Sequence, residues 1–245
     1  MFEFFRKKTA DIPEVKCSAV IAAAGQGERM GAGINKMFMT MLDKPLIYYT
    51  LNTFEQCDSV DEIVIVTREE DIIPMRDIAE NFGIYKVSKI VAGGDTRQQS
   101  VRRGIEEVNE SAEIILIHDG ARPFVTNDEL ESLIDETYVT GACALGTKVK
   151  DTIKRVGGEN IITETPERDN LRAVATPQAF NAAMIKEAHR RAEEDGFCGT
   201  DDCALAERLG VKVKIIECSY NNIKITTPED VYVGEKILYE NRQRV

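Results

Sequence analysis

Ala22-Ala23-Ala24-Gly25-Gln26-Gly27-Glu28-Arg29-Met30-Gly31, with a second cation at Lys36, follows directly on the apolar run Ala19-Val20-Ile21. A strand that empties into small residues and glycines lets backbone N–H groups approach a ligand closely. Two cations seven residues apart, Arg29 and Lys36, suit a polyphosphate. The stretch reads as a nucleotide-triphosphate loop or, more plainly, as a tight strand-to-helix turn with two solvated cations. Two better-known phosphate loops fit less well. A P-loop needs Lys and then Ser or Thr after a glycine, and no glycine here is so followed. The dinucleotide fingerprint needs a third glycine where Met30 stands. It also needs a downstream acid for the ribose, and the next strand ends Val66-Thr67-Arg68.

Such a loop sits at the end of a parallel strand, and the rest of the chain supplies the sheet. Asp61–Thr67 and Glu113–Ile117 are β-branched and bounded by charge, as buried parallel strands are. Val87–Val91 and Gly141–Gly146 read as two more. Helices alternate with them. Pro45 opens one that runs through Leu51, Val101, Ile105 and Val108 mark another, and Asn127 caps a third carrying Leu130, Leu133 and Ile134. The alternation predicts an α/β fold, a mostly parallel twisted sheet with helices on both faces, Rossmann-like, with ligands beyond the carboxyl ends of the strands. One segment departs from it. Thr152–Val156 and Asn160–Glu164 read as a hairpin with Gly157-Gly158 at the turn. A lone hairpin is marginal in water, so this arm, at about 149–175, must pack on its own domain or on another chain. Residues 1–16 read as an N-terminal extension and 17–245 as a single domain carrying the arm.

The 245 residues are 43% hydrophobic, enough for a substantial core. A net charge of −11 and a pI of about 4.9 argue against nonspecific binding to nucleic acid or to an anionic membrane. An acidic chain that binds phosphates must gather its cations in one place. Six cysteines without a Cys-x-x-Cys pair, and only two histidines, point to free thiols in a reducing compartment rather than to zinc. The first eight residues hold too short an apolar run for a secretory signal, and no apolar run nears the roughly 20 residues of a membrane span. A cytoplasmic location is the expectation.

Further candidates lie at the other strand ends. Gly93-Gly94-Asp95-Thr96-Arg97-Gln98-Gln99-Ser100 offers paired glycines, a carboxylate and hydroxyls that could read a base or a ribose, or else a plain loop with Asp95 or Thr96 as helix cap. His118-Asp119-Gly120-Ala121-Arg122-Pro123 brings a carboxylate that could hold Mg²⁺, orient a substrate hydroxyl or pair with Arg122. Alternation sends His118 to the other face, as a structural residue. Thr200-Asp201-Asp202 opens a helix, and Asn222–Asp230 reads as a strand feeding a helix that starts at Pro228, with Lys224 either solvated or aimed into a site. Arg168, in the arm, has a surface cation as its plainest reading.

Together these segments resemble the 2-C-methyl-D-erythritol 4-phosphate cytidylyltransferase family. The matching pieces are Ala22–Met30 with Lys36, Gly93–Val101, His118–Pro123, Asp151–Lys154, Thr176-Pro177-Gln178 with Phe180, Thr200–Asp202 and Asn222–Asp230, in the family's order from about residue 17 to 240. The resemblance implies a nucleotidyltransferase fold and a homodimer joined by the arm. It also implies transfer of CMP from CTP to a sugar-alcohol phosphate, methylerythritol 4-phosphate, with release of pyrophosphate and with Mg²⁺ carried mainly by the triphosphate. By the same resemblance Arg29 and Lys36 stabilise the transition state, while Arg168 and Lys224 position the acceptor. Asp119, Arg122 and Thr200 line the acceptor side. Ala23, Ala24, Gly25 and Gly27, with Gly94, Asp95 and Ser100, hold CTP. Attack by an already ionised phosphate oxygen needs cations and positioning rather than a general base, which agrees with the lack of a poised histidine. This chain departs from the family's usual pattern at Asn35 and Met37, where Pro and Gln flank the lysine, at Arg172, where Trp is usual, and at Gly120, where Ala is common. Ribitol-5-phosphate cytidylyltransferases share much of the pattern, and a catalytically weak nucleotide-binding regulator is a further alternative. Retention of all four cations argues against the latter.

Overall fold

The computed structural model describes residues 16–25 and 35–242. The chain runs through β1 (Cys17–Ala22), β2 (Thr40–Met41), β3 (Lys44–Pro45), α1 (Leu46–Gln56), β4 (Glu62–Thr67), α2 (Ile72–Asn81), β5 (Val87–Ala92), α3 (Arg97–Glu107), β6 (Ile114–Asp119), α4 (Asn127–Thr140) and β7 (Ala142–Lys148). There follow β8 (Arg155–Val156), β9 (Ile162–Glu164), β10 (Arg172–Asn181), α5 (Ala182–Glu194), α6 (Asp202–Arg208), β11 (Lys214–Glu217) and α7 (Pro228–Arg242). The main sheet has the order β11-β7-β10-β6-β1-β4-β5. β10 runs antiparallel to β6 and β7, while the other pairings are parallel.

Period-two alternation sorts the core. Ala19 and Ile21 of β1, Ile63 and Ile65 of β4, Leu116 of β6 and Leu145 of β7 face α1, α2, α4 and α7. Val20, Val64, Val66, Ile115, Ile117 and Ala144 face α3, α5 and α6. Both faces of each central strand are buried, which is why these strands read as continuous apolar runs rather than as alternating ones. One helix lies unusually close. A Cβ on Gly104 of α3 would stand 2.5 Å from Val20 and 2.6 Å from Val66.

Three local expectations are corrected, and the choice between Asp95 and Thr96 as helix cap is decided. The cap of α4 is Thr126, in a reciprocal box with Glu129, so Asn127 is the first helical residue. The cap of α3 is Thr96 with Gln99, which leaves Asp95 outside the helix. Asn222–Thr226 joins no ladder, because its hydrogen bonds go elsewhere: the Ile225 N–H donates to Ala121 O at 2.9 Å and the Ile225 carbonyl accepts from Lys36 Nζ at 3.2 Å. In the arm the strands are shorter than the pattern suggests. The reversal spans Gly157–Ile161, and the positive φ values fall on Glu159 (56°) and Asn160 (57°) rather than on the two glycines. The chain re-enters the main sheet at Arg172, opposite Lys148 and ahead of the expected limit near 175. Residues 150–165 are all exposed. No helix of the described residues is long and apolar enough to cross a membrane.

Candidate active site

The carboxyl ends of β1, β4, β5 and β6 open into a cleft of about 830 Å³. Backbone hydrogen bonds knit the strand ends together: Ala23 N to Val66 O at 2.7 Å, Gly93 N to Thr67 O at 2.7 Å, and Gly120 N to Ala22 O at 2.9 Å. On one wall the turn from β5 into α3 is packed tightly. A Cβ on Gly93 would meet Ser100 Oγ at 2.7 Å and Ala24 Cβ at 2.8 Å, and one on Gly94 would meet Gln99 Cβ at 2.6 Å. Only glycine fits there. The Ser100 hydroxyl accepts from Gly94 N at 3.1 Å, and Gln99 Oε1 accepts from Asp95 N at 2.9 Å and from Thr96 N at 3.3 Å. These amide groups are spent within the turn. What it presents to a ligand is the exposed carboxylate of Asp95.

The opposite wall gathers charge. Lys36 is buried and donates to the Ile225 carbonyl. Asp119, at the end of β6, is shared among three cations: Lys224 Nζ at 2.8 Å and Arg122 Nε at 3.6 Å on one oxygen, Arg97 Nε at 3.3 Å on the other. Burial works to raise the Asp119 pKa. Lys224, Arg97 and Arg122 overcome it and hold the carboxyl well below its usual range. Behind the wall, Arg97 Nη1 reaches Asp202 Oδ2 at 2.7 Å, and Asp202 Oδ1 faces His189 Nε2 at 3.2 Å. Asp202 also stays ionised below its ordinary range. Burial opposes this, while the His189 hydrogen bond and the Arg97 charge favour it.

Beneath Asp119 lies a buried polar layer. The Asp119 N–H donates to Thr176 Oγ1 at 3.0 Å, and that hydroxyl meets His118 Nδ1 at 3.1 Å. Because the Arg122 carbonyl can only accept, His118 Nε2–H donates to it at 2.9 Å, and in the neutral ring Nδ1 then accepts from the Thr176 hydroxyl. Burial pushes the His118 pKa down to about 4, and the ring is neutral and structural, as alternation predicts. Asn222 Nδ2 donates to Thr176 O at 3.0 Å and the Asn222 carbonyl accepts from Arg122 Nη1 at 2.9 Å, which pins the segment that carries Lys224.

A family model described as 2-C-methyl-D-erythritol 4-phosphate cytidylyltransferase matches residues 17–240. The chain belongs to the 2-C-methyl-D-erythritol 4-phosphate cytidylyltransferase family. A relative of that name from Halalkalibacterium halodurans is 49% identical over 227 residues, 93% of this chain and 99% of the relative. One from Caldanaerobacter subterraneus is 46% identical over 222 residues, 90% of this chain and 98% of the relative. The solved 4-diphosphocytidyl-2C-methyl-D-erythritol synthase of Anaerococcus prevotii superposes with a TM-score of 0.82 at 32% identity, covering 92% of this chain and 97% of its own. The chain is thus a nucleotidyltransferase of the cytidylyltransferase type, with the α/β fold anticipated from its sequence.

Of the residues matched to this cytidylyltransferase family, Ala24, Gly25, Lys36, Gly94, Asp95, Ser100, Asp119 and Lys224 line the cleft. Ala23 lies buried just behind the strand end and Arg122 behind Asp119. Thr200 is exposed, one residue before the α6 cap Asp201, and is not among the lining residues. Arg168 is on the arm, exposed, and donates to the Lys150 carbonyl at 3.0 Å. Gly27 and Arg29 lie outside the described residues. Sequence reasoning gave no role to Arg97, whose signal was its place in the first turn of a helix behind two glycines. It noted Asn35 only as a departure. That side chain, 1% exposed, donates to Asp71 Oδ2 at 2.7 Å and accepts from Met37 N at 3.0 Å, so it does by hydrogen bonding what a proline does by ring geometry: it fixes the entry to Lys36.

For a metal the described residues offer little of their own. Among the described residues no cluster of three His, Cys, Asp or Glu side chains is poised to bind one. Asp119 is already paired with cations, so this donor set fits a divalent ion carried by the triphosphate, with Asp119 at most an added oxygen.

Proposed function

We propose that the cleft transfers CMP from CTP to methylerythritol 4-phosphate, giving 4-diphosphocytidyl-methylerythritol and pyrophosphate, a step of non-mevalonate isoprenoid synthesis. An acceptor phosphate oxygen forms a bond to the α-phosphorus of CTP. The bond from that phosphorus to the β-phosphate oxygen breaks, and pyrophosphate leaves with the electron pair. The observation that carries the reading is the convergence of Lys36, Arg97 and Lys224 on one cleft at the strand ends of an otherwise acidic protein.

In this reading Lys36, with Arg29, meets charge that grows on the transferred phosphoryl group and the leaving oxygen. Ala23, Ala24, Gly25 and Gly27 give the triphosphate a close backbone approach. Asp95 reads the cytosine amine or the ribose, in a turn shaped by Gly94 and Ser100. Lys224 and Arg168 hold the acceptor phosphate, and Asp119, Arg122 and Thr200 frame the acceptor's hydroxyl side. Mg²⁺, when bound, supplies charge neutralisation across the triphosphate oxygens. The arm, which has no core of its own, joins two copies of the chain and brings each Arg168 to the partner's cleft. The protein works in the cytoplasm, where five buried thiols and the exposed Cys198 stay reduced.

The test is pyrophosphate release with CTP, run separately with methylerythritol 4-phosphate and ribitol 5-phosphate, and with UTP in place of CTP. Preference for CTP with methylerythritol phosphate is expected. Faster turnover of ribitol phosphate would reassign the acceptor, and equal use of UTP would remove Asp95 from base reading.

A further inference from the structure

Asp202 is the last residue of a motif whose first member, Thr200, was assigned to the acceptor and whose second, Asp201, caps α6. It is 1% exposed, its N–H is held by Gln178 Oε1 at 3.1 Å, and it grips Arg97 at 2.7 Å. Arg97 is therefore fixed from behind, and its forked guanidinium spans the distance between two carboxylates. The second, Asp119, has one oxygen on Arg97 and the other on Lys224. The two cations differ in their anchorage. Arg97 is held by a buried partner, whereas the Lys224 ammonium has Asp119 as its hydrogen-bond acceptor and a side chain 38% exposed to the cleft.

While the Lys224 ammonium donates to Asp119 at 2.8 Å, one of its three donors and part of its charge are committed away from a phosphate. If Lys224 turned away and Arg97 were absent, the 7%-exposed Asp119 would keep only the longer contact to Arg122 Nε at 3.6 Å, a poorly compensated buried charge. We propose that Arg97 is a positioning residue that frees Lys224: it remains on Asp119 while the Lys224 ammonium turns to the acceptor phosphate, so the buried carboxylate keeps a closer counter-charge than Arg122 alone supplies. This rests on the functional reading above. It assigns Asp202 the task of keeping Arg97 in place, and it makes Asp119 the reason that Arg97 is needed.

The experiment is a double-mutant cycle on Arg97 and Asp119, with KM for methylerythritol phosphate and for CTP measured separately by pyrophosphate release. Arg97→Gln should raise the acceptor KM by about tenfold or more, since a charge-assisted contact is lost, and leave the CTP KM within about twofold. In the Asp119→Asn background, where no carboxylate holds Lys224, the same Arg97→Gln change should move the acceptor KM by less than about threefold. Equal effects in both backgrounds, or a rise in the CTP KM instead, mean that Arg97 touches a substrate phosphate itself and overturn the proposal. Thermal melting reports folding. Where Arg97→Gln does not fold, the cycle is run with Arg97→Lys, which keeps a charge beside Asp202 but lacks the fork that reaches Asp119; the same pattern, at smaller size, is expected. A parent chain with no turnover overturns the functional reading and this inference together. An active parent with additive losses overturns the inference alone.

Discussion

Lys36 is buried and tied to the Ile225 carbonyl, and Asp119 is held by three cations over a layer of neutral hydrogen bonds. Arg168, also matched to the family's chemistry, hangs on an arm whose residues 150–165 are all exposed, with the Lys150 carbonyl as its hydrogen-bond acceptor. Ile153, Val156, Ile161 and Ile162 are exposed around it. The described part of the cleft is organised within one chain, its charges already paired and hydrogen-bonded. The arm spends chain length on apolar surface that none of the described residues covers, and in the reading above it becomes part of a site only when a second copy is present. Preorganisation in one region and dependence on assembly in the other give different experimental signatures.

The largest effect is expected at Lys36. Lys36→Ala should lower kcat by a factor on the order of 10²–10³, as for loss of one preorganised group facing transition-state charge, with a smaller change in CTP binding. A rise in KM at unchanged kcat would show uniform binding instead. Next is the arm. Lys36→Ala and Arg168→Ala chains, each inactive, should recover roughly a quarter of parental activity when mixed equally under subunit exchange, because half the symmetric dimers are mixed and each has one intact site. Confirmed exchange with no recovered activity would confine Arg168 to its own chain and erase the contrast between the regions.

The polar layer beneath the cleft should also respond to pH. His118 is neutral in the fold down to about pH 4, against an ordinary value of 6.5. Between those limits the unfolded chain takes up a proton that the folded one refuses, so stability falls as pH falls, by up to about 3 kcal/mol. Below pH 4 the depressed carboxyls of Asp119 and Asp202 add a further loss in the same direction. Urea unfolding at pH 7, 5.5 and 4 should show this slope, and His118→Asn should flatten its upper part. The smallest effects come from a matched pair. Asn35→Ala, which strips buried hydrogen bonds, should cost about 1–3 kcal/mol, and Ile162→Ala on the arm less than about 0.5 in the monomer. Similar losses from the two would mean that the arm is packed after all.

The sequence made the sheet legible because its strands are buried on both faces and therefore read as unbroken apolar runs. It made the glycine turns legible because Gly93 and Gly94 have no room for a Cβ. It concealed whatever depends on partners distant along the chain. Nothing local marks Arg97 as the bridge between Asp119 and Asp202, 105 residues further along the chain from Arg97. The 222–226 segment looks like a strand because isoleucines flank Lys224, yet its backbone serves Ala121 and Lys36 rather than a ladder. Thr126 was passed over as a cap because the neighbouring Asn127 is an equally good capping residue in isolation, and only the reciprocal bond from Glu129 decides between them.

Gly104 has a consequence well beyond its own contacts. It is the point at which α3 rests on the Val20 and Val66 side chains, with no side chain of its own in between. Arg97 lies seven residues earlier on the same helix, about 10 Å along its axis at 1.5 Å per residue. A rigid helix tilted about that contact behaves as a lever, and even a methyl group at the fulcrum would swing the guanidinium relative to both of its carboxylates. The spacing of charges in the cleft is thus gauged in part by an atom that the chain leaves out, on a face of the helix that no substrate touches.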